Sequence, residues 1–179
     1  MDNTVSVTEG SSNAWTCVVE TNNADTNGAM TYSIAFSDDA GNAGTAVTSG
    51  SGSVTIDNSH PTLSSVSIAT AGTGNANNGD DVTLSFTASE GIGTPTCTMK
   101  DGGGNTMDNT VSVTEGSSNA WTCVVETNNA DTNGAMTYSI AFSDDAGNAG
   151  TAVTSGSGSV TIDNTHPTMT PVSIAVDNT

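Results

Sequence analysis

The chain has 179 residues, of which 19 are acidic and only Lys100 is basic, so its formal net charge is −18. This balance excludes nucleic acid as a partner, because phosphate binding requires lysine and arginine side chains. Self-repulsion at this charge weakens a compact fold unless salt screens it or cations bind, which favours a saline exterior and metal binding.

A tandem duplication organises the sequence. Residues 1–58 are identical to residues 107–164, and the likeness continues with few changes to the end of the chain. A Pro-containing segment, 58–62, recurs at 164–168 and is typical of a linker. This arrangement of repeats and linkers fits either a section of a longer array or a protomer that takes missing strands from a neighbour. We predict the C-terminal part of a repeat at 1–59, a complete repeat at 60–165, and the first strand of a following repeat at 166–179.

Seven strands are predicted within the complete repeat, because apolar and polar residues alternate with the period of a half-buried strand. Glycines interrupt the last of them and indicate a bulge or an edge. No helical pattern occurs, so the fold class is all-β: tandem immunoglobulin-like or fibronectin-like antiparallel β-sandwich domains. The regular alternation argues against disorder, which the acidic, Gly- and Asn-rich composition also suggests. The predicted strands are 62–70, 81–90, 93–100, 110–115, 120–126, 136–142 and 151–162.

The strand that ends at Phe142 changes abruptly into the acidic loop 143–148, and the same change occurs at Phe36. A rigid strand that delivers carboxylate and amide oxygens suits a hard cation, for which calcium is the main candidate. In the usual sandwich topology this loop, the loop after the second strand and the incoming linker lie at one end of the domain. We therefore predict a Ca²⁺ site formed by Asp57, Glu90, Asp144, Asp145 and Asn148.

The preceding copy would add Asp25 or Asn23 to this site from its own loop. The alternative interpretation is that these Asp and Asn residues only close turns, which they do readily. The equivalent loop at 37–42 lacks a counterpart of Glu90, so we expect a weaker site or none there.

The three cysteines divide into a pair and a single thiol. Cys97 and Cys123 point to the core face of strands expected in opposite sheets, so a disulfide across the sandwich is predicted, with two reduced core cysteines as the alternative. Cys17 is the copy of Cys123 without a partner in this chain, and it is therefore free or bonded to another chain.

Other residues that could carry chemistry have simpler interpretations. His60 and His166 occupy equivalent positions beside linker prolines, and neither faces a nucleophile in this frame, so catalysis is not expected. The segment 101–105 is a Gly-rich turn without the helix or lysine of an anion cradle. Trp15 and Trp121 alternate with cysteines and fit core packing better than sugar stacking.

Two motifs together carry a resemblance. Residues 142–148, Phe-Ser-Asp-Asp-Ala-Gly-Asn, and residues 160–168, Val-Thr-Ile-Asp-Asn-Thr-His-Pro-Thr, resemble the bacterial Ig-like repeats of large surface adhesins, over essentially the whole chain. The resemblance implies an extracellular, non-enzymatic extender or adhesive module, often with calcium at its domain junctions. The cysteines depart from the pattern of such repeats, and the truncated first copy leaves the polymer state open.

Three functions follow as hypotheses. The first is a calcium-stiffened array of Ig-like domains serving as the stalk of a secreted or surface-anchored adhesin, with neighbouring repeats as its partners. The second is a filament or sheath subunit whose incomplete first copy is finished by strands from an identical protomer. The third, a carbohydrate-binding module, has only the tryptophans in its favour. No apolar run reaches the length of a membrane span.

Overall fold

The computed structural model describes residues 4–176 of the chain. Two compact units divide the chain, one at 1–59 and one at 60–179. Strands form both units, and the only helix among residues 4–176 is a 3-10 turn at Ser11–Asn13. In that described part of the chain, no helix is long or apolar enough to span a membrane.

Among residues 4–176, four short strands form the first unit and nine form the second. The first unit contains β1 (Val5–Glu9), β2 (Trp15–Val19), β3 (Gly28–Ala29) and β4 (Thr55–Ile56). The second contains β5 (Leu63–Thr70), β6 (Asn75–Ala76), β7 (Asp81–Ala88), β8 (Thr96–Lys100), β9 (Ser112–Glu115), β10 (Ala120–Glu126), β11 (Gly134–Ala135), β12 (Thr137–Ala141) and β13 (Thr161–Ile162).

Sheets on either side of an apolar core make up the second unit. Its largest sheet is antiparallel, with strand order β5-β7-β10-β9, and β8 pairs with β12 in a separate antiparallel ladder. A disulfide between Cys97 on β8 and Cys123 on β10 connects these two sheets. The arrangement is all-β and is consistent with a β-sandwich, as the alternation in the sequence predicts.

Alternate residues of each long strand supply the core. On β7, Val82, Leu84 and Phe86 are buried, whereas the residues between them are partly exposed. On β10, Trp121 and Cys123 are buried in the same way. Because successive side chains on a strand point to opposite faces, this pattern places one face of each strand against the core.

The first six predicted strands are present, with ends that differ by a few residues, but the seventh is wrong. Only Thr161–Ile162 is a strand, and Val153 and Ser157 make isolated bridges before it. Gly158 lies between these bridges and the strand with a φ of +77°, which interrupts extended backbone. The strand that remains pairs parallel with β6, a short element that the alternation does not reveal.

The first unit keeps the local pairings of its identical counterpart. Glu9 on β1 lies opposite Trp15 on β2, as Glu115 lies opposite Trp121 in the second unit. The bridge between Ile34 and Val47 likewise repeats the one between residues 140 and 153. What differs is burial, because no described residue of 4–59 corresponds to β5, β7 or β8.

Residues 166–176 contain no strand, although their sequence copies the segment that leads into and forms β5. Met169, Val172, Ile174 and Val176 are each more than four-fifths exposed. A strand needs a neighbouring strand to satisfy its backbone groups, and this segment pairs with none among the residues described. Residues 177–179 of the predicted third segment lie outside the described part of the chain.

Candidate cation-binding site

Two carboxylates meet at one end of the second unit. Glu90 follows β7 and Asp144 follows β12, and an antiparallel bridge between Ile92 and Asp144 holds the two loops side by side. An oxygen of Glu90 and an oxygen of Asp144 lie within 4.8 Å of each other. Asp144 is buried and Glu90 is partly buried. Two oxygen donors at this spacing fit the chemistry of a hard cation, which draws carboxylates together by neutralising them.

The chain enters the second unit at this same end. The His60 imidazole Nδ1 lies 2.9 Å from the carbonyl oxygen of Ala149, which belongs to the segment after the acidic loop. The Thr62 amide donates to the Ser89 hydroxyl at 3.0 Å, next to Glu90. Hydrogen bonds therefore fix the entry segment against both carboxylate-bearing loops. They also give His60 a structural contact, as expected of a linker residue.

The acidic loop itself is a closed turn. The Asn148 amide donates to Asp144 Oδ1 at 2.8 Å, and the Asn148 side chain donates to Asp144 Oδ2 at 2.8 Å. The Asn148 side-chain bond, helped by backbone donors, holds the pKa of Asp144 below its usual value. Asp144 is thus kept ionised, and each of its oxygens retains a lone pair that could bind a cation.

The same loop in the first unit shows what the turn needs. Asp38 accepts hydrogen bonds from the Asn42 amide at 2.7 Å and from its side chain at 2.9 Å, although no described residue there corresponds to Glu90. The Asn42 side-chain bond lowers the pKa of Asp38 as well. The turn therefore forms without a second carboxylate, and turn closure accounts for Asn148 and for part of the role of Asp144.

The remaining predicted ligands belong to two different units. Asp145 is exposed, and its Oδ2 lies 3.8 Å from where a Cβ on Gly91 would be, beside Glu90. Asp57 belongs to the first unit, where its Oδ1 accepts the Ser59 amide at 2.9 Å. Asp57 belongs to a different unit from Glu90 and Asp144, so its joining them in one site stays a prediction.

Asp25 lies at the linker end of the first unit. The Asn58 side chain donates to the backbone oxygen of Asp25 at 2.9 Å, and the Asn27 side chain donates to Asp57 Oδ1 at 3.2 Å. The Asp25 carboxylate accepts the Asn22 amide at 2.8 Å, which closes a turn of its own. Asp25 and Asp57 are therefore at one end of their unit, and a metal role for either stays a prediction.

Sequence reasoning missed a buried carboxylate that accepts several backbone amides, Asp101. Asp101 is buried, and its oxygens accept the amides of Gly103, Asn105 and Thr132 at 2.8 to 3.0 Å. The Thr132 amide is the main cause of a pKa far below the usual value for Asp101. The sequence does carry a signal, because Asp-x-x-Gly-Asn at 101–105 has the spacing of the loop at 144–148. Asp101 thus ties the turn after β8 to the loop before β11.

The cysteines behave as the sequence suggests. Cys97 and Cys123 form the expected disulfide, with a Cα–Cα distance of 6.5 Å, and both are buried. Cys17 is free and exposed in the first unit. The tryptophans show the same contrast, because Trp121 is 5% exposed in the core and Trp15 is 62% exposed. Core packing therefore explains Trp121, and Trp15 has the same sequence environment without the covering strands.

Comparison with models of known protein families and with curated protein sequences gives no match for this chain. The assignment of function therefore depends on the residues and on their geometry.

Proposed function

We propose that the chain is a non-enzymatic extracellular structural protein, an array of Ig-like domains that calcium stiffens for use as the stalk of a cell-surface adhesin. The observation that carries this proposal is the approach of Glu90 and Asp144 within 4.8 Å at the end where the chain enters the second unit. Asp57 stands in the linker just before that entry. A cation shared by linker and domain restrains the joint between successive repeats, which is what an extender requires.

Charge and covalent structure support the same proposal. Nineteen acidic residues against one basic residue leave a negative charge that bound divalent cations would offset. The buried Cys97–Cys123 disulfide fits an oxidising, extracellular environment. It also compensates for a core with few aromatic residues, since disulfides are common where the apolar core is small.

The proposed ligands differ in where they lie and in how far they are buried. Glu90 and Asp144 supply the buried side of the site, and Asp145 provides a further carboxylate from the exposed part of the loop. Asp57 would complete the site from the linker, and Asp25, at the same end of the first unit, would be a further ligand. Calcium accepts six to eight oxygens, and an extracellular site of this kind binds at about 10⁻⁴ to 10⁻³ M.

Calcium titration of matched variants tests the proposal. Binding measured by calorimetry should weaken at least about tenfold in Glu90→Gln, since one carboxylate ligand is lost while the Asp144–Asn148 turn stays closed. Glu115→Gln, an exposed site on β9, should bind as the parent does. The radius of gyration in small-angle scattering should also change on chelation in the parent chain and not in Glu90→Gln. Equal calcium binding by the parent chain and both variants would remove the basis for the proposed site.

A further inference from the structure

The opening strand of the second unit, β5, runs parallel to a segment near the end of that unit, residues 157–163, which we call the closing segment. The Ser157 amide donates to the Val66 oxygen at 2.8 Å, and the Ile68 amide donates to the Ser157 oxygen at 3.0 Å. These bonds form a parallel bridge between Ser67 and Ser157. The Ser157 hydroxyl donates to the same Val66 oxygen at 3.2 Å. The beginning of the unit is therefore bonded directly to its end.

A second set of parallel bonds joins the same two parts of the chain. β6 pairs in parallel with β13, which lies within the closing segment. The Thr161 amide donates to the Gly74 oxygen at 2.8 Å, and the Asp163 amide donates to the Ala76 oxygen at 2.8 Å. Both β5 and β6 thus contact the closing segment in the same relative direction.

Glycines allow the two backbones to lie this close. A Cβ on Gly156 would collide with the carbonyl oxygen of Val66, and a Cβ on Gly158 would collide with that of Ile68. The contact is between main-chain atoms, so a side chain at either glycine would separate the strands and lengthen the bonds between them.

The chain enters and leaves the second unit at opposite ends. The Thr62 amide donates to the Ser89 hydroxyl, after the end of β7, whereas the Asp163 amide donates to Ala76, before its start. The eight residues of β7 span about 27 Å between these ends. A pull on the chain from both sides of the unit therefore acts along the strands. It draws β5 toward the entry end and the closing segment toward the exit end.

Parallel pairing determines how such a pull strains the hydrogen bonds. Parallel strands that are drawn in opposite directions must slide past each other, so all the bonds between them are strained together. The bonds of a hairpin opened at its free end break one at a time instead. Because forced unfolding is governed by the unfolding rate, an arrangement in which several bonds must break in one step resists force for longer.

We propose that the parallel contact of β5 and β6 with the closing segment bears tension, so that the second unit resists being pulled open along the chain. This inference rests on the proposed stalk function, because a stalk carries tension between its two ends. It concerns bonds that lie apart from Glu90 and Asp144, and it needs no cation.

The disulfide determines how much of the unit a pull can extend once this contact has opened. Cys97 and Cys123 both lie between β6 and the closing segment, with a sequence separation of 26. Tension then passes through the sulfur–sulfur bond and not through residues 98–122. At up to about 3.6 Å for each extended residue, the disulfide withholds about 90 Å of chain from extension.

Pulling single molecules of the full chain by their two ends tests the proposal. A Cys17→Ser background removes thiol cross-linking, and EDTA in every measurement removes any contribution from a cation. The unfolding event of the second unit is identified by its length. When Cys97→Ser and Cys123→Ser are added together, that event should lengthen by about 90 Å.

Two glycines of similar backbone strain separate resistance to force from general stability. Gly158→Ala adds a methyl group against the Ile68 carbonyl oxygen at a φ of +77°, whereas Gly104→Ala adds it at +81° with nothing within 4 Å, inside the loop that the disulfide closes. Under constant force, the second unit should unfold at least about tenfold faster in Gly158→Ala and at close to the parent rate in Gly104→Ala. Ser157→Ala, which adds no group and loses only the hydroxyl bond to Val66, should unfold about threefold faster.

Three results would overturn the proposal: equal unfolding rates of the two glycine variants under force, a parent rate for Ser157→Ala, or an unfolding length that does not change when the disulfide is removed. Ser157→Ala keeps the test decisive if Gly158→Ala does not fold. Calcium binding by Glu90 is measured by titration without force. Failure of the tension-bearing contact and failure of the calcium site therefore give different results.

Discussion

At the scale of single residues, aspartate carboxylates hold three of the loops closed by hydrogen bonds. Asp38, Asp101 and Asp144 each accept a backbone amide and a side-chain amide from an asparagine four positions later. The sequence supplies everything these turns need within five residues, which is why the same geometry forms in both units. Asp101 alone also accepts an amide from a distant loop, at Thr132. That long-range bond could not be read from local spacing.

Acid should therefore destabilise the second unit partly through Asp101. Its pKa in the folded chain lies below the ordinary 3.8, so its contribution to stability is complete above that value and is lost as the pH falls toward the folded-state pKa. Thermal unfolding followed from about pH 5 to about pH 2 should show a smaller loss of melting temperature in Asp101→Asn than in the parent. Asp108→Asn, at an exposed position, should keep the parent slope. Parallel curves for all three chains would contradict this assignment.

At the scale of elements, strands that alternate strictly were predictable and strands defined by a partner were not. β7 and β10 bury every second residue, so their faces can be read directly from the sequence. Residues 151–162 also alternate in part, yet only Thr161–Ile162 is a strand. Gly156 and Gly158 in this segment make room for the backbone of β5 instead of extending the strand. The tail at 166–176 shows the converse, a strand-forming sequence without a neighbour to pair with.

The disulfide between β8 and β10 should contribute measurably to stability. It closes a loop with a sequence separation of 26, for which chain entropy gives a stabilisation of about 3 to 4 kcal/mol. A double variant, Cys97→Ser with Cys123→Ser, should lose about that free energy of unfolding in urea. Cys17→Ser should unfold at the parent midpoint, since that thiol is exposed. A double variant as stable as the parent would show that the core does not depend on this link.

At the scale of the whole molecule, the duplicated sequence occurs once with its apolar residues exposed and once with them buried. Residues 4–58 and 110–164 form the same turns and the same local ladders, but among the described residues only the second set is covered by β5, β7 and β8. Local structure could therefore be predicted from the sequence, and burial could not, because it depends on which copy has the covering strands. The same limit applies to the candidate site, where Glu90 and Asp144 could be grouped from topology but Asp57 belongs to another unit.

Limited proteolysis should distinguish the two copies. Chymotrypsin cleaves after aromatic residues in accessible backbone, so brief digestion should cut after Trp15, Tyr32 and Phe36 before it cuts their buried counterparts. Intact mass of the products should show a resistant fragment that includes residues 60–165. In urea, where both copies are unfolded, the two sets of sites should be cleaved at similar rates. Equal cleavage of both copies in native buffer would contradict the difference in burial.

Gly156 and Gly158, on either side of Ser157, allow the backbone of β5 to approach closely, and this has a consequence for how such repeats tolerate sequence change. The two glycines meet the carbonyl oxygens of Val66 and Ile68, which are the same atoms whatever side chain a residue carries. The sequence of β5 and its copy at 166–176 differ at Leu63/Met169 and Thr70/Val176, whereas Gly-Ser-Gly is the same at 50–52 and at 156–158. Because these contacts involve only main-chain atoms, the side chains of β5 can change without affecting them. A single methyl group added at either glycine would block the approach of any strand at this position.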